Sequence, residues 1–478
     1  MSEIHDLSAL DLAAVVRGGQ VSPEEVAEHT IERAHRLGPD VGAFVHVAED
    51  RARAQAAEAS ELLSGSRGAH AAALPAFLGV PVPIKDVTMV AGLPFRAGSA
   101  ALDGFVAPVD DGVTSLLRGA GTLMVGKTNV PELALPPYTE PDIAPPARTP
   151  WDRSRTAGGS SGGAAAAVAA GIVPAAHGND GGGSLRIPAS ACGLVGLKAS
   201  RGRVSRGPYG VDGAGLAVDG VLTRTVRDSA AFLDVLAQPW PGDTYHLALP
   251  QDSFLAACDR DAGPLRIGVL TDPITVADAP VHREALVAVD RVARLLEDMG
   301  HHLEPVTVPF SDEDWLAFGP LWEVGALQAP IPPEAEERLV PLTRWLRDRG
   351  RRVSGAQYAD AVAAVQRLTR QTALHWSGVD VVLSPTLAQP PVPIGSMRDD
   401  EDPEGDFEAQ KAFTPWTSTW NIIGAPSISL PLHRAEVDGV ELPFGVMLGG
   451  RTGAEQTLLS LAAALEAADP WPTFPPDR

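Results

Sequence analysis

The sequence predicts an α/β protein in which core strands are flanked by helices and a helical segment leads the chain. Three observations predict this. Residues 1–65 carry helix-start chemistry and helical apolar spacing; from Phe77 onward the pattern changes to short apolar runs punctuated by proline and glycine; and the carboxyl end closes on a strand pattern followed by a helical one. Residues 1–65 are expected as helices packed on the core, and 66–478 as a single α/β domain with a variable, pocket-forming region over 310–420.

In order along the chain, Ser22-Pro23-Glu24-Glu25 supplies a hydroxyl N-cap, a proline for the first helical position and a glutamate to close a capping box, ahead of Val26, Ile31 and Ala34 on one face. FLGVPVPIKDVTMV, Phe77 to Val90, reads as strand, turn, strand. TSLLRGAGTLMVGKTNVPELAL reads as helix, strand and a new helix start. The alanine run after GGSSGG reads as a buried helix with little room for side chains. GPLRIGVLTD is expected as a strand, residues 281–298 as an amphipathic helix leading into another strand, and LPFGVMLGGRTGAEQTLLSLAAALEAA as strand then helix. Residues 310–420 look less regular and hold six of the nine tryptophans, and the acidic stretch Asp399 to Asp406 reads as a solvated loop.

Composition narrows the function. Sixty aspartates and glutamates against 38 lysines and arginines give 478 residues a net charge of −22, which repels phosphate backbones and anionic headgroups, so neither nucleic acid nor membrane is an expected partner. Hydrophobic (45%) and charged (21%) residues occur at globular levels. The charge-free stretch Thr156–Asn179 is long enough to span a bilayer, but GGSSGG and Pro174 argue against it. Cys192 and Cys258 are too few for a disulfide framework or a multi-cysteine metal site, and the first residues lack the basic patch and apolar run of a secretion signal, so the cytoplasm is expected. Lysine occurs only four times, and Lys85, Lys127 and Lys198 cluster in one stretch of the chain.

Three motifs bear on chemistry. GTLMVGKT (121–128) fits a phosphate-loop pattern on Lys127 and Thr128, yet its middle is an apolar strand-like run where a cradle needs exposed backbone, so nucleotide binding is a minor alternative. GGSSG (158–162) fits a nucleophile elbow on Ser160, but a polar, charged segment precedes it where a buried strand is required. In HGNDGGGSLRIP, Gly181, Gly182 and Gly183 stand before Ser184, and successive glycine N–H groups can line a pocket for an oxyanion, with Ser184 as nucleophile. A serine needs a base. His177 is the nearby histidine, but no aspartate is identified to orient it. Lys85, flanked by Val82, Pro83, Ile84 and Val87, belongs to a buried strand where desolvation lowers an ammonium's pKa; Asp86 points to the opposite face and cannot cancel it. No lysine has a serine three positions before it, which excludes the SxxK enzymes.

GVPVPIKD (79–86), GKTNVPELA (126–134), GGSSGGAAAAVAAG (158–171), GNDGGGSLRIPASACGLVGLKASRGRVS (178–205), NIIGAPSISLP (421–431) and LPFGVMLGG (442–450) together closely resemble the amidase signature family, in order and over nearly the whole chain. The resemblance implies the amidase signature fold, a large mixed β-sheet flanked by helices. It implies a Ser-cisSer-Lys triad on Ser184, Ser160 and Lys85, with a cis peptide after Gly159, and oxyanion donors from Gly181, Gly182, Gly183 and Ser184. Ser161 is expected to support the loop, and Asp180 and Arg186 to brace it by ion pairing. The chain departs from the family's usual residues at Gly181 or Gly182, at Met447 where glutamine is usual, and at GLKAS, which bears on substrate fit.

The expected function is hydrolysis of amide C–N bonds through an acyl-enzyme, without metal or cofactor, on a small-molecule amide or carbamate; family relatives also cleave anilides and esters. AHGND, SRGRVS and VRDSAAFLDVLAQPWPGDT resemble most the branch containing cyclic-amide and nylon-oligomer hydrolases. Tyr138, Trp416, Trp420 and Asn421 are expected to finish the pocket. The alternatives are an amidotransferase subunit needing a partner chain and an α/β-hydrolase-type esterase using Ser160. A homodimer is expected from the frequency of isologous pairs.

Overall fold

The computed structural model describes residues 3–65, 74–211 and 213–475. The division expected at residue 65 abuts residues 66–73, which lie outside the described residues. Eleven strands are present among the described residues: β1 (Phe44–Val47), β2 (Ile84–Lys85), β3 (Gly126–Thr128), β4 (Ala175–Asp180), β5 (Val195–Lys198), β6 (Val218–Thr223), β7 (Arg266–Val269), β8 (His302–Pro305), β9 (Val381–Pro385), β10 (Ser427–Val437) and β11 (Val440–Gly450). They form a three-stranded sheet, β1-β3-β2, and a mixed eight-stranded sheet, β4-β6-β5-β10-β11-β9-β7-β8.

Local chemistry places most elements where the sequence puts them. Ser22 Oγ accepts from the Glu25 N–H and the Glu25 carboxylate accepts from the Ser22 N–H, so helix Pro23–Val41 starts on its capping box. Helix Arg283–Asp298 buries Ala285, Ala288, Val289, Val292 and Leu296 on one face and joins the parallel strands β7 and β8. The antiparallel hairpin β10–β11 turns on Asp438 and Gly439, both with positive φ, a two-residue turn whose twist matches its strands. Helix Gly162–Ala169 is buried on all sides. At Gly163 a Cβ would lie 2.4 Å from the Asn129 backbone nitrogen, so the first turn of this helix reaches its neighbours only because glycine stands there. No helix among the described residues is long and apolar enough to cross a membrane.

Three expectations are corrected. FLGVPVPIKDVTMV yields only the two-residue β2. Val80 and Val82 bond to Leu123, but Pro81 and Pro83 have no N–H to extend the ladder, and Thr88 turns back to the Lys85 carbonyl instead of starting a second strand. Residues 310–420 are largely helical: Asp312–Leu316, Gly319–Gly325, Pro341–Arg352, Gly355–His375, Pro403–Phe413 and most of Thr417–Ile423 fall within them, together with β9. The stretch Asp399–Asp406 is not simply a solvated loop. Asp402 caps helix Pro403–Phe413 by accepting from the Gly405 N–H, Pro403 takes the first position, and Asp406 is buried. An acidic run ahead of a proline is a helix start, where the dipole favours anions.

Candidate active site

The edge strand β4 alternates its side chains so that His177 and Asn179 face β2. His177 Nδ1 accepts from the Lys85 backbone N–H at 3.3 Å, and Asn179 Oδ1 accepts from Lys85 Nζ at 2.6 Å. Lys85 Nζ also lies 2.8 Å from Ser160 Oγ. Ser160 follows a cis peptide from Gly159, on the loop that enters helix Gly162–Ala169. Lys85 and Ser160 are both buried. Burial lowers the Lys85 pKa from 10.5 to about 7, against the opposing pull of the Asp180 and Asp219 charges, neither of which forms an ion pair with it. Burial thus favours the neutral amine over the ammonium.

Beyond Asp180, Gly181 to Gly183 make a loop into helix Arg186–Cys192, with Ser184 half-buried at its end. Asp180 holds the loop: its carboxylate accepts from the Gly183 and Leu185 N–H groups at 2.7 and 3.1 Å and from Arg186 Nε and Nη2, both at 2.9 Å. Burial alone would raise the Asp180 pKa. The Arg186 charge and its forked hydrogen bonds, followed by the Lys198 charge, hold it well below the usual carboxylate range. Arg186 also donates to the Thr417 carbonyl, to Ser427, to Asn421 Oδ1 and, at 3.5 Å, to the sulfur of Met447. Ser161 Oγ donates to the Asn179 carbonyl, behind the loop.

The glycine expectation needs correcting at one position. Gly183 spends its N–H on Asp180, so it is not a free oxyanion donor, whereas among the described residues no acceptor takes the N–H groups of Gly181, Gly182 or Ser184. Gly183 is required for another reason: its φ is +139°, and a Cβ would meet Ile187 Cδ1 at 2.5 Å and Thr417 Oγ1 at 2.6 Å. At Gly181 and Gly182 a Cβ would have ordinary contacts, 3.7 Å to Ala217 and 3.5 Å to Trp322, so those two glycines leave space beside Ser184.

Ser184 faces two cavities. One, about 70 Å³, is walled by Trp315, Phe318, Trp322 and Phe407, with Lys411 at its margin. The other, about 280 Å³, contains Ser160, Asn179 and Gly181 in its wall, with Arg206, Gln328 and Tyr358 farther out. Tyr138, Trp416, Trp420 and Asn421 line neither. Tyr138 is buried with its hydroxyl donating to Asp406 at 2.6 Å, Trp416 donates to the Asp272 carbonyl, Trp420 stacks on Trp376, and Asn421 donates to Asp180 and accepts from Arg186. Of the four, Asn421 holds the loop through Asp180 and Arg186, while the three rings are buried in the core. The pocket aromatics come instead from Trp315, Phe318 and Trp322, earlier in the same tryptophan-rich region.

The remaining motifs separate cleanly. Lys127 forms a buried ion pair with Asp86 at 2.8 Å, and the middle of GTLMVGKT is bonded to the Val80–Val82 segment, so that stretch offers no cradle to a phosphate. No strand precedes Ser160; Trp151–Ala157 is turns and isolated bridges. His177 has the aspartate that sequence reasoning lacked, with Nε2 at 3.3 Å from Asp219, but its other nitrogen is occupied by the Lys85 backbone. Asn179 was missed although it stands in the quoted AHGND block; its place two residues after His177 on one strand was the available signal.

Comparison with known proteins accords with this geometry. Residues 25–459 match the Amidase family model. A 6-aminohexanoate-cyclic-dimer hydrolase of Paenarthrobacter ureafaciens is 34% identical over 485 residues, covering 96% of this chain and 94% of that protein. The solved structure of a 6-aminohexanoate cyclic dimer hydrolase complexed with substrate superposes with a TM-score of 0.90 at 30% identity, covering 100% of this chain and 99% of that one. A bacterial aryl acylamidase of the amidase signature enzymes superposes with a TM-score of 0.86 at 29% identity, covering 98% of each chain. A family match spanning both the three-stranded sheet and the whole eight-stranded sheet, on a chain whose glycine-serine loop faces a buried lysine, leads to one conclusion: the chain belongs to the amidase signature family and is an amide-hydrolysing enzyme.

Proposed function

We propose that the enzyme cleaves small-molecule amides through an acyl-enzyme on Ser184, with neutral Lys85 as the base and Ser160 as the relay. Ser184 Oγ bonds to the carbonyl carbon and passes its proton to Ser160, whose own proton goes to Lys85 Nζ. With Nζ neutral, the 2.8 Å contact runs from the Ser160 hydroxyl to the amine lone pair, while an amine N–H donates to Asn179. The N–H groups of Gly181, Gly182 and Ser184 receive the oxyanion. The C–N bond then breaks as Ser160 returns a proton to the leaving nitrogen and is reprotonated by Lys85. Water attacks the acyl ester by the same relay, releasing the acid and restoring Ser184. Asp180 and Arg186 position the loop and take no proton.

The observation that carries this reading is a fully buried amine within hydrogen-bond distance of a serine and with a pKa near 7. Linear and cyclic amides are the substrate class, on the likeness to a cyclic-dimer hydrolase and an aryl acylamidase, and carbamates, anilides and esters follow from the same acyl chemistry. Two free thiols suit a cytoplasmic setting. Fluorophosphonate labelling followed by peptide mapping tests the mechanism. The label is expected on Ser184, and a label on Ser160 overturns the assignment. Hydrolysis of simple amides by the purified single chain removes the amidotransferase alternative, which needs a partner.

A further inference from the structure

We infer that the two cavities divide the substrate, with the acyl half in the aromatic cavity and the leaving amine in the wider one, and that Arg206 docks a carboxylate carried on the amine half. This rests on the mechanism proposed above. The leaving nitrogen must take its proton from Ser160, and Ser160 lines the wider cavity but not the aromatic one. The amine therefore departs on the Ser160 side. The acyl group, which stays on Ser184, extends the other way, against Trp315, Phe318 and Phe407.

Arg206 is the only charged group among the described residues lining the wider cavity, in a protein of net charge −22. Among the described residues it forms no ion pair. Asp111 and Asp219 feel its charge, yet both are engaged elsewhere: Asp111 accepts from the Met89 N–H at 2.6 Å, and Asp219 faces His177 at 3.3 Å. A half-buried guanidinium with unused donors, opening on a cavity without a described carboxylate, suits a planar anion bound through two hydrogen bonds. Gln328 and Tyr358 add neutral polar groups on the same wall. The substrate class is thus an N-acylated amino acid, cleaved to release the amino acid.

The test uses the full chain and three probe sets: N-benzoyl ω-amino acids of increasing methylene count, N-benzoyl alkylamines of matched length, and benzylamides whose acyl chain ends in a carboxylate. The wild type is expected to prefer the best benzoyl amino acid over its neutral match by about tenfold or more in kcat/KM, as one charge-assisted contact supplies. The carboxylated acyl chains should gain nothing. In Arg206→Gln the anionic-to-neutral ratio falls to about one, and in Arg206→Lys it is partly kept. Turnover of all three sets by the wild type without preference overturns the Arg206 assignment and leaves the hydrolase reading standing. A preference that survives in Arg206→Gln, or one for the carboxylated acyl chains, also overturns it. No turnover of any benzoyl probe overturns this inference, because an aromatic acyl group then does not enter the smaller cavity, and fluorophosphonate labelling of Ser184 in the same sample shows whether the proposed mechanism still stands.

Discussion

Asp86 pairs with Lys127 at 2.8 Å and so leaves its chain neighbour Lys85 without a carboxylate partner. Lys85 and Asp86 sit on opposite faces of one extended segment, and this alternation gives one buried lysine, Lys127, a carboxylate partner while the other, Lys85, has none among the described residues. Had the segment slipped by one residue, a carboxylate side chain would face Ser160 in place of the amine.

This relationship predicts a stability effect. Asp86→Asn leaves the buried Lys127 ammonium uncompensated, and denaturant titration is expected to show an apparent loss of about 3–5 kcal/mol. The double variant Asp86→Leu/Lys127→Met should regain most of it, because removing both charges removes the desolvation penalty. An Asp86→Asn protein as stable as the wild type would show that the pair is not the anchor described.

Lys85 predicts the pH dependence of activity. Only its neutral form accepts a proton, and burial places its pKa at about 7, so kcat/KM should fall about tenfold per unit below that value and reach a plateau above it. Lys85→Met should lose roughly a thousandfold in kcat at the plateau. The stability linkage has the matching sign. The unfolded lysine titrates near 10.5, so the cost of burying it is complete below about pH 7 and shrinks as pH rises from there toward 10.5. Lys85→Met should accordingly raise Tm more at pH 6 than at pH 9. A flat activity profile across neutrality with chemistry rate-limiting would remove Lys85 as the base.

The buried lysine at position 85 and the glycine-serine loop were legible because each conflicts with ordinary core composition: a lysine among valines and prolines, and four small residues where a helix should begin. The α/β class was legible from periodicity. The pocket was not, because Tyr138, Trp416 and Trp420 share with Trp315 and Phe318 the same apolar signature, and only the fold decides which ring faces a cavity and which is packed beneath it. Lys85's other partner, Asn179, needed the packing of β4 against β2, which belong to different sheets. The Asp438-Gly439 turn is the opposite case, a two-residue hairpin signal in plain view that the strand reading of LPFGVMLGG passed over.

Gly183 tests the proposed oxyanion loop without touching the proposed triad. Alanine there must adopt a φ of +139° and places its Cβ against Ile187 and Thr417, so Gly183→Ala should displace the loop. The expected result is a fall in kcat of at least about a hundredfold, the scale of losing an oxyanion donor, with folding retained by circular dichroism. Gly181→Ala, where the space is open, should stay within about tenfold of wild type. Equal activity in the two variants would mean that the loop does not depend on Gly183.

The pocket assignment is tested by contrasting an aromatic ring that lines the cavity with one that lies beneath it. Phe318 lines the smaller cavity, packed beside Trp315 and Trp322. Removing its ring should cost an aromatic acyl group contact area, lowering kcat/KM for benzoyl substrates by roughly ten- to a hundredfold relative to acetyl substrates. Tyr138 only donates to Asp406, which retains the Gln410 amide and the Asp399 N–H as partners. Tyr138→Phe should therefore cost about 1 kcal/mol of stability and leave the benzoyl-to-acetyl ratio unchanged. If Tyr138→Phe shifts that ratio and Phe318→Ala does not, the acyl group does not bind against Phe318, and the division of the two cavities is wrong.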